Sequence, residues 1–336
     1  MLRPSLTFQR IVVCVLVFLL VYCIVMDGFF YNRILKYPRS YEEAAKFNTT
    51  WIGCDLSPFC EVTCKGMLVD HFDLYIFGPL AVVFDKTFNI TETLWITPNM
   101  ISFFHIFVAI VSAKCVSSDS LGYRRVGVLL FQFRTMLDDL DGHVARARKH
   151  IKGEKSEVGT AGYYIDGLCD GLGCIALLVG CFLFLQNNPP RRGYLQLPLQ
   201  QIDTKESDDK PFRINSPLKE VFKVLLLFSV QVLIASAMWN RYVAAYQDIL
   251  EGGHPSQEQM VLQEGVIKSF FFLSTTWVWR LLNFQSIINL LLLAIFCNKL
   301  WEFLYAISYV GYLILLIAIC ASEIQLAHTK SILHIT

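Results

Sequence analysis

The sequence is short of charge. Only 17% of its 336 residues are Asp, Glu, Lys or Arg, against about 25% in an ordinary soluble domain. Neither sign is in excess: 29 basic and 28 acidic residues leave a net charge of +1, so no basic surplus points to nucleic acid. There is no internal repeat and no low-complexity tract, which excludes solenoids and disordered linkers as the organising theme. What is present is apolar. Hydrophobic residues make up 54%, with 26 Phe, 14 Tyr and 6 Trp, the composition of a bilayer protein with aromatic belts.

Ten of the 11 cysteines fall into two groups, and the eleventh, Cys169, lies between Asp166 and Asp170. Cys14, Cys23, Cys115, Cys174, Cys181, Cys297 and Cys320 lie in or near apolar runs, where thiols act as small hydrophobes. Cys54, Cys60 and Cys64 cluster in a polar segment flanked by two sequons, Asn48-Thr49-Thr50 and Asn89-Ile90-Thr91. Sequons beside clustered cysteines indicate an oxidising, glycosylating lumen. A zinc site is the other reading of the cysteines, but no histidine spacing supports it.

Residues 11–26 are almost wholly apolar and follow Arg3 and Arg10. The run is long and no small-x-small site follows, which favours a signal anchor over a cleaved leader, with the N-terminus in the cytosol. Residues 32–97 are then luminal. Within them, Met67–Phe88 is expected as one or two interfacial helices, and Asp70-His71-x-Asp73 as solvated surface rather than a metal patch. Thr97-Pro98 has the form of an N-cap and first helical turn. It opens the next span, with Asn99 one residue on. Further spans are expected from 124–140, Tyr164–Gln186, 219–246, about Asn283 to Cys297, and 301–322. The helix before Asn283 is interfacial, and residues 324–336 form a luminal tail. Residues 187–216 read as a cytosolic loop without recognisable chemistry. Asn240 and Arg241 read either as contacts to phosphate or lipid or as interface anchors, and His254 as a surface residue rather than a ligand.

Chemistry concentrates in 138–170. On a helix, Asp138 and Asp141 are i,i+3, and Asp166 and Asp170 are i,i+4, so each pair shares a face. If the two helices pack side by side, four carboxylates meet. Their repulsion calls for divalent metal, and oxygen ligands suit Mg or Mn. Gly142, Gly162 and Ala145 leave room for a bulky ligand, and Arg146, i,i+4 from Gly142, offers a planar fork for phosphate. Carboxylates inside a membrane helix are expensive, and their default reading is functional. The loop 147–161 begins with Arg148, Lys149 and His150. It reads either as solvated or as a cationic lid for a nucleotide diphosphate.

The pattern D-x2-D-G-x2-A-R … G-x3-D-x3-D, filled here by Asp138, Asp141, Gly142, Ala145, Arg146, Gly162, Asp166 and Asp170, resembles the CDP-alcohol phosphatidyltransferase family. The departure is the spacer: 15 residues separate Arg146 from Gly162, about twice the usual number in that family. The resemblance implies an all-α polytopic membrane protein with a six-helix core (98–323), and the apolar run near the N-terminus adds one transmembrane helix (1–31) in front of it. It implies two Mn or Mg ions on Asp138, Asp141 and Asp166, with Asp170 as general base or further metal ligand. Gly142, Ala145 and Gly162 would shape the nucleotide pocket, and Arg146 would hold phosphate. Asn99 would position the nucleotide, or serve only as a helix start. Asp139 lies outside the pattern, as a supporting or solvated carboxylate.

The extra N-terminal crossing inverts the core, so the site is expected on the luminal side of a Golgi membrane. Within the family, this layout is most similar to members that move phosphoethanolamine from CDP-ethanolamine to ceramide. The implied partners are CDP-ethanolamine, ceramide and membrane lipid, with homodimerisation left open and no nucleic acid. An ethanolamine- or cholinephosphotransferase acting on diacylglycerol is the alternative enzyme. A catalytically dead scaffold is a third reading, and the intact aspartates oppose it.

Overall fold

The structure is a computed structural model. It describes residues 6–36, 57, 59, 62–151, 159–189, 217–252 and 256–333. The sequon at Asn48, Cys54, Cys60, most of the 147–161 and 187–216 loops, and His254 lie outside the described residues. Among the described residues there is no strand.

Helix α1 is Leu6–Lys36, followed by the short α2, Cys64–Leu68. A π-helical segment, Asp73–Phe77, runs directly into α3, Gly78–Phe88. The core helices are α4 (Pro98–Val116), α5 (Leu121–Arg148), α6 (Ala161–Asn187) and α7 (Pro217–Glu251). They continue as α8 (Gln257–Lys268), α9 (Phe270–Leu282), α10 (Phe284–Phe296) and α11 (Leu300–Ile332).

Among the described residues, five helices are long and apolar enough to cross a membrane, and six if the bent pair α9–α10 is one span. Alone, the 13 residues of α10 would reach about 20 Å, short of the roughly 30 Å hydrocarbon core. The sequence places an interfacial helix before Asn283. Helix α9 occupies that stretch and meets α10 at a 43° bend, with Asn283 capping the second helix by accepting from the Ser286 amide. Helix α5 fails the apolarity criterion because it carries Arg124, Arg125, Arg134, Asp138, Asp139 and Asp141. Its 28 residues nonetheless lie along α4 and against α10. With α5 added, the core has the six helices the sequence leads one to expect, behind α1. Helix α11 runs to Ile332, well past the expected end of the span.

The caps explain the boundaries. Thr97 accepts from the Met100 amide with Pro98 following, as anticipated, and Thr160 caps α6 in the same way. Ser256 and Gln259 form a capping box on α8. Small residues set the tightest packing. A Cβ on Gly180 would stand 2.6 Å from the Ala113 carbonyl oxygen, and one on Gly127 would stand 2.8 Å from Val116. Helix α4 is therefore gripped closely by α5 on one side and α6 on the other.

This corrects one geometric expectation. The two acid-bearing helices do not pack flank to flank; α4 lies between them, and α5 and α6 make little direct contact.

The ends of the helices sort into two faces. On one, the α4–α5 turn meets the end of α6 through Asn188 to Asp119 (2.7 Å), and the α10–α11 turn through Arg124 to Asn298 (2.7 Å). Arg124 is buried there and also donates to the carbonyls of Ser118 and Asp119, bracing the turn. The opposite face carries α2, the π-helical segment and α3. The Cys64 amide donates to Glu251 at the end of α7.

On that second face, Asp27 of α1 is a hub. It accepts from Tyr75 (2.7 Å), Trp277 (2.9 Å) and Arg280 (2.6 Å), and meets His71 Nε2 at 2.8 Å. Most of α1 faces outward, with Val13, Phe18, Leu20 and Ile24 exposed, as lipid contact requires. Its last third is what docks, through Tyr22, Asp27, Phe30 and Ile34.

Candidate active site

Asp138 lies in the last third of α5, and Asp166 and Asp170 in the first third of α6. Antiparallel passage on either side of α4 brings these stretches to the same face of the bundle. Helix α4 adds His105, fully buried. Side-chain donor atoms of His105, Asp138, Asp166 and Asp170 lie within 4.8 Å of one another. His105 Nε2 stands 3.5 Å from Asp138 Oδ1.

The donor set is built for a cation. Asp138 Oδ1, Asp166 Oδ1 and both His105 nitrogens are buried without a hydrogen bond. Unsatisfied buried lone pairs are costly, and a divalent ion bound by carboxylates and an imidazole removes that cost.

The fourth aspartate of the motif, Asp141, is not one of the four convergent residues. It is buried, its carboxylate accepts from Ser102 of α4, and it lies within electrostatic reach of Asp166 and Asp170. Ser102 and His105 are i,i+3, so one face of α4 serves both parts of the α5 motif.

One cation inside the bundle opposes the carboxylates. Arg134 is fully buried, donates to Asp170 and stands 3.9 Å from Asp138. It fits because Gly173 faces it: a Cβ there would be 3.2 Å from the Arg134 Nε.

The remaining motif residues ring the mouth. Arg146 folds back over Gly142, its Nη1 3.1 Å from where a Cβ would sit, and lies with Lys65 of α2 within electrostatic reach of Asp166. Ala145 is half-buried on the same turns of α5, and Gly162 is exposed at the start of α6. Asn99 is exposed in the first turn of α4, one turn before Ser102. Of the two residues read as interface anchors, Asn240 accepts from Tyr163 (3.0 Å), and Arg241 pairs with Glu323 through both carboxylate oxygens.

The 85–96 segment is clamped to this face. Arg148, at the end of α5, donates to the carbonyls of Ile90, Thr91 and Thr93, and His143 meets Asp85 at 3.1 Å. Asn89 caps α3 in the left-handed conformation and is exposed. The 85–96 segment and the aspartate site therefore share one side of the membrane.

Sequence reasoning missed His105 and Arg134. Both were detectable in principle: each is an ionisable side chain within a helix that crosses the membrane, and Arg134 is i,i−4 from Asp138.

A helical bundle that crosses the bilayer several times, with a carboxylate–imidazole cluster where two acidic helices meet a third, defines a multi-pass membrane CDP-alcohol phosphotransferase. Comparison with known proteins narrows this. A model of the ceramide phosphoethanolamine synthase family matches residues 1–335, and the chain belongs to that family. It is 52% identical over 282 residues to a Drosophila melanogaster protein named ceramide phosphoethanolamine synthase, covering 84% of this chain and 72% of the fly protein. No solved structure matches.

Proposed function

We propose that the protein transfers phosphoethanolamine from CDP-ethanolamine to the primary hydroxyl of ceramide, releasing CMP. The oxygen of the lipid hydroxyl bonds to the β-phosphorus of the donor, the β-phosphorus bond to the bridging oxygen breaks, and CMP leaves with that electron pair. The observation that carries the reading is the buried cluster of Asp138, Asp166, Asp170 and His105 with oxygens that accept no hydrogen bond, in a chain of this family.

In this reading Asp138, Asp141, Asp166, Asp170 and His105 hold two divalent ions. Such ions would neutralise the diphosphate and stabilise the charge that develops on CMP. An imidazole among the ligands favours Mn over Mg, which is bound almost only by oxygen. Asp170 accepts the proton of the ceramide hydroxyl, and Arg134, which donates to it, orients its carboxylate. Arg146 and Lys65 attract the phosphates, Gly142, Ala145 and Gly162 leave space for the nucleotide, and Asn99 sits at its edge. Residues 98–323 form the catalytic domain in this scheme, and α1 anchors it with 1–5 on the cytosolic side.

The test is product identification with purified protein, Mn, CDP-ethanolamine, and ceramide or diacylglycerol. Ceramide phosphoethanolamine and CMP should appear in equal amounts, with ceramide the better acceptor. Faster turnover of diacylglycerol would overturn the assignment in favour of an ethanolaminephosphotransferase.

We place the site on the luminal side of the Golgi membrane. Because Asn89 and the aspartates share one face, a glycan reports the orientation of both. Asn89 is expected to carry one, seen as a glycosidase-sensitive mass shift that persists in Asn48→Gln and disappears when Asn89→Gln is added. A mass insensitive to glycosidase with both sequons intact would reverse the orientation.

A further inference from the structure

A second group of carboxylates lies at the edge of the donor set. Asp70 follows α2, and Asp73 opens the π-helical segment, which packs on α5. Asp70 is fully buried. Its Oδ1 accepts from the amides of Phe72 (2.7 Å) and Asp73 (3.2 Å), but its Oδ2 is buried with no hydrogen bond. Asp73 Oδ1 is in the same condition. The groups that bear most on Asp73 are themselves carboxylates, namely Asp70, Asp139 and Asp138. Asp139 is the residue after Asp138, so the group borders the donor set across a fraction of a turn of α5. A π-helical turn is rare, and such turns occur frequently at functional sites. Here Gly78 permits it, since a Cβ would stand 2.9 Å from the Asp73 carbonyl oxygen.

Buried carboxylate oxygens without donors call for a cation. Among the described residues, the donors that converge closely enough to surround a metal are those of His105, Asp138, Asp166 and Asp170, and Asp70 and Asp73 are not among them. A primary ammonium needs less convergence. It presents three N–H donors and one positive charge, and forms short charge-assisted bonds to carboxylates that need not share one centre. The proposed reaction supplies such a group, because the ethanolamine ammonium lies two carbons beyond the phosphate being transferred.

Resting on that function, we propose that Asp70 and Asp73, with Asp139 at the entrance, form the subsite that binds the ammonium of the donor head group and selects ethanolamine over choline. A trimethylammonium has no N–H to offer, so choline would leave the buried oxygens unsatisfied, a strong basis for rejection.

The experiment compares kcat/KM for CDP-ethanolamine with that for CDP-propanol, whose head group replaces the ammonium by methyl. Full-length protein with Mn and ceramide is used. Asp73→Asn should lower the value for CDP-ethanolamine by roughly ten- to hundredfold and leave that for CDP-propanol and the affinity for CMP nearly unchanged. Equal losses on both donors would mean a merely structural carboxylate and would overturn the subsite, as would an unaltered ratio. If Asp73→Asn does not yield folded protein, the same ratio measured on Asp139→Asn decides. Wild-type protein that makes no product from CDP-ethanolamine and ceramide would count against the function itself, a result separate from any change in the ratio.

Discussion

Asp170→Asn is expected to stop turnover, with kcat reduced about 10³-fold or more, while CDP-ethanolamine still binds within about tenfold of the wild-type affinity. The amide keeps the size of the carboxylate and can still accept from Arg134, so the bundle around it should persist. It cannot take a proton, and general-base catalysis is worth roughly 10²–10⁴-fold. The loss of one ligand among several costs roughly 10–100-fold in metal affinity, and raising Mn offsets it. A Mn titration therefore separates the two roles. Activity that stays low at saturating Mn identifies the base, whereas activity restored by Mn identifies a ligand only. Unchanged turnover would falsify both.

Arg134→Met is expected to be the most damaging single change to the fold. The guanidinium is fully buried inside the bundle, donates to Asp170 and stands near Asp138, with its carbon 5.6 Å from the centre of the Phe131 ring. A buried charge in the membrane is tolerated only with partners. Its removal leaves carboxylates in their place with less compensation, which typically costs about 3–5 kcal/mol. The denaturant midpoint of the detergent-solubilised protein should fall sharply, and added Mn should recover more stability in the variant than in wild type. Arg134→Lys keeps the charge but not the fork. It should retain the fold and lose most turnover, because Asp170 is no longer held in place. A midpoint for Arg134→Met equal to that of wild type would refute a central role for this cation.

The contrast between these residues and the motif explains what was legible in the sequence. Periodicity places Asp138 beside Asp141, and Asp166 beside Asp170, because both relations lie within one helix. Thr97 and Pro98 mark the start of α4 for the same reason: capping is local chemistry. Relations between helices leave no such trace. That α4 lies between the two acidic helices depends on Gly127 and Gly180 meeting residues of α4 at close range, which no spacing announces. His105 therefore looked like one polar residue in an apolar run. Asp141 matches the pattern, and its partner Ser102 lies on another helix, so the spacing within α5 does not announce it. Asp70 and Asp73 read as solvated because a polar segment outside the spans is ordinarily wet. Here the π-helical segment folds them against α5.

Asp27 has a consequence for biogenesis. It sits on α1, which is made before the core helices, yet two of its donors, Trp277 and Arg280, follow 250 and 253 residues later. Until those have been synthesised, the growing chain carries a carboxylate near the bilayer with its final partners missing. Helix α1 can enter the membrane early, but its seat is completed only once α9 has been made, so a helix translated before the core is locked in place after it.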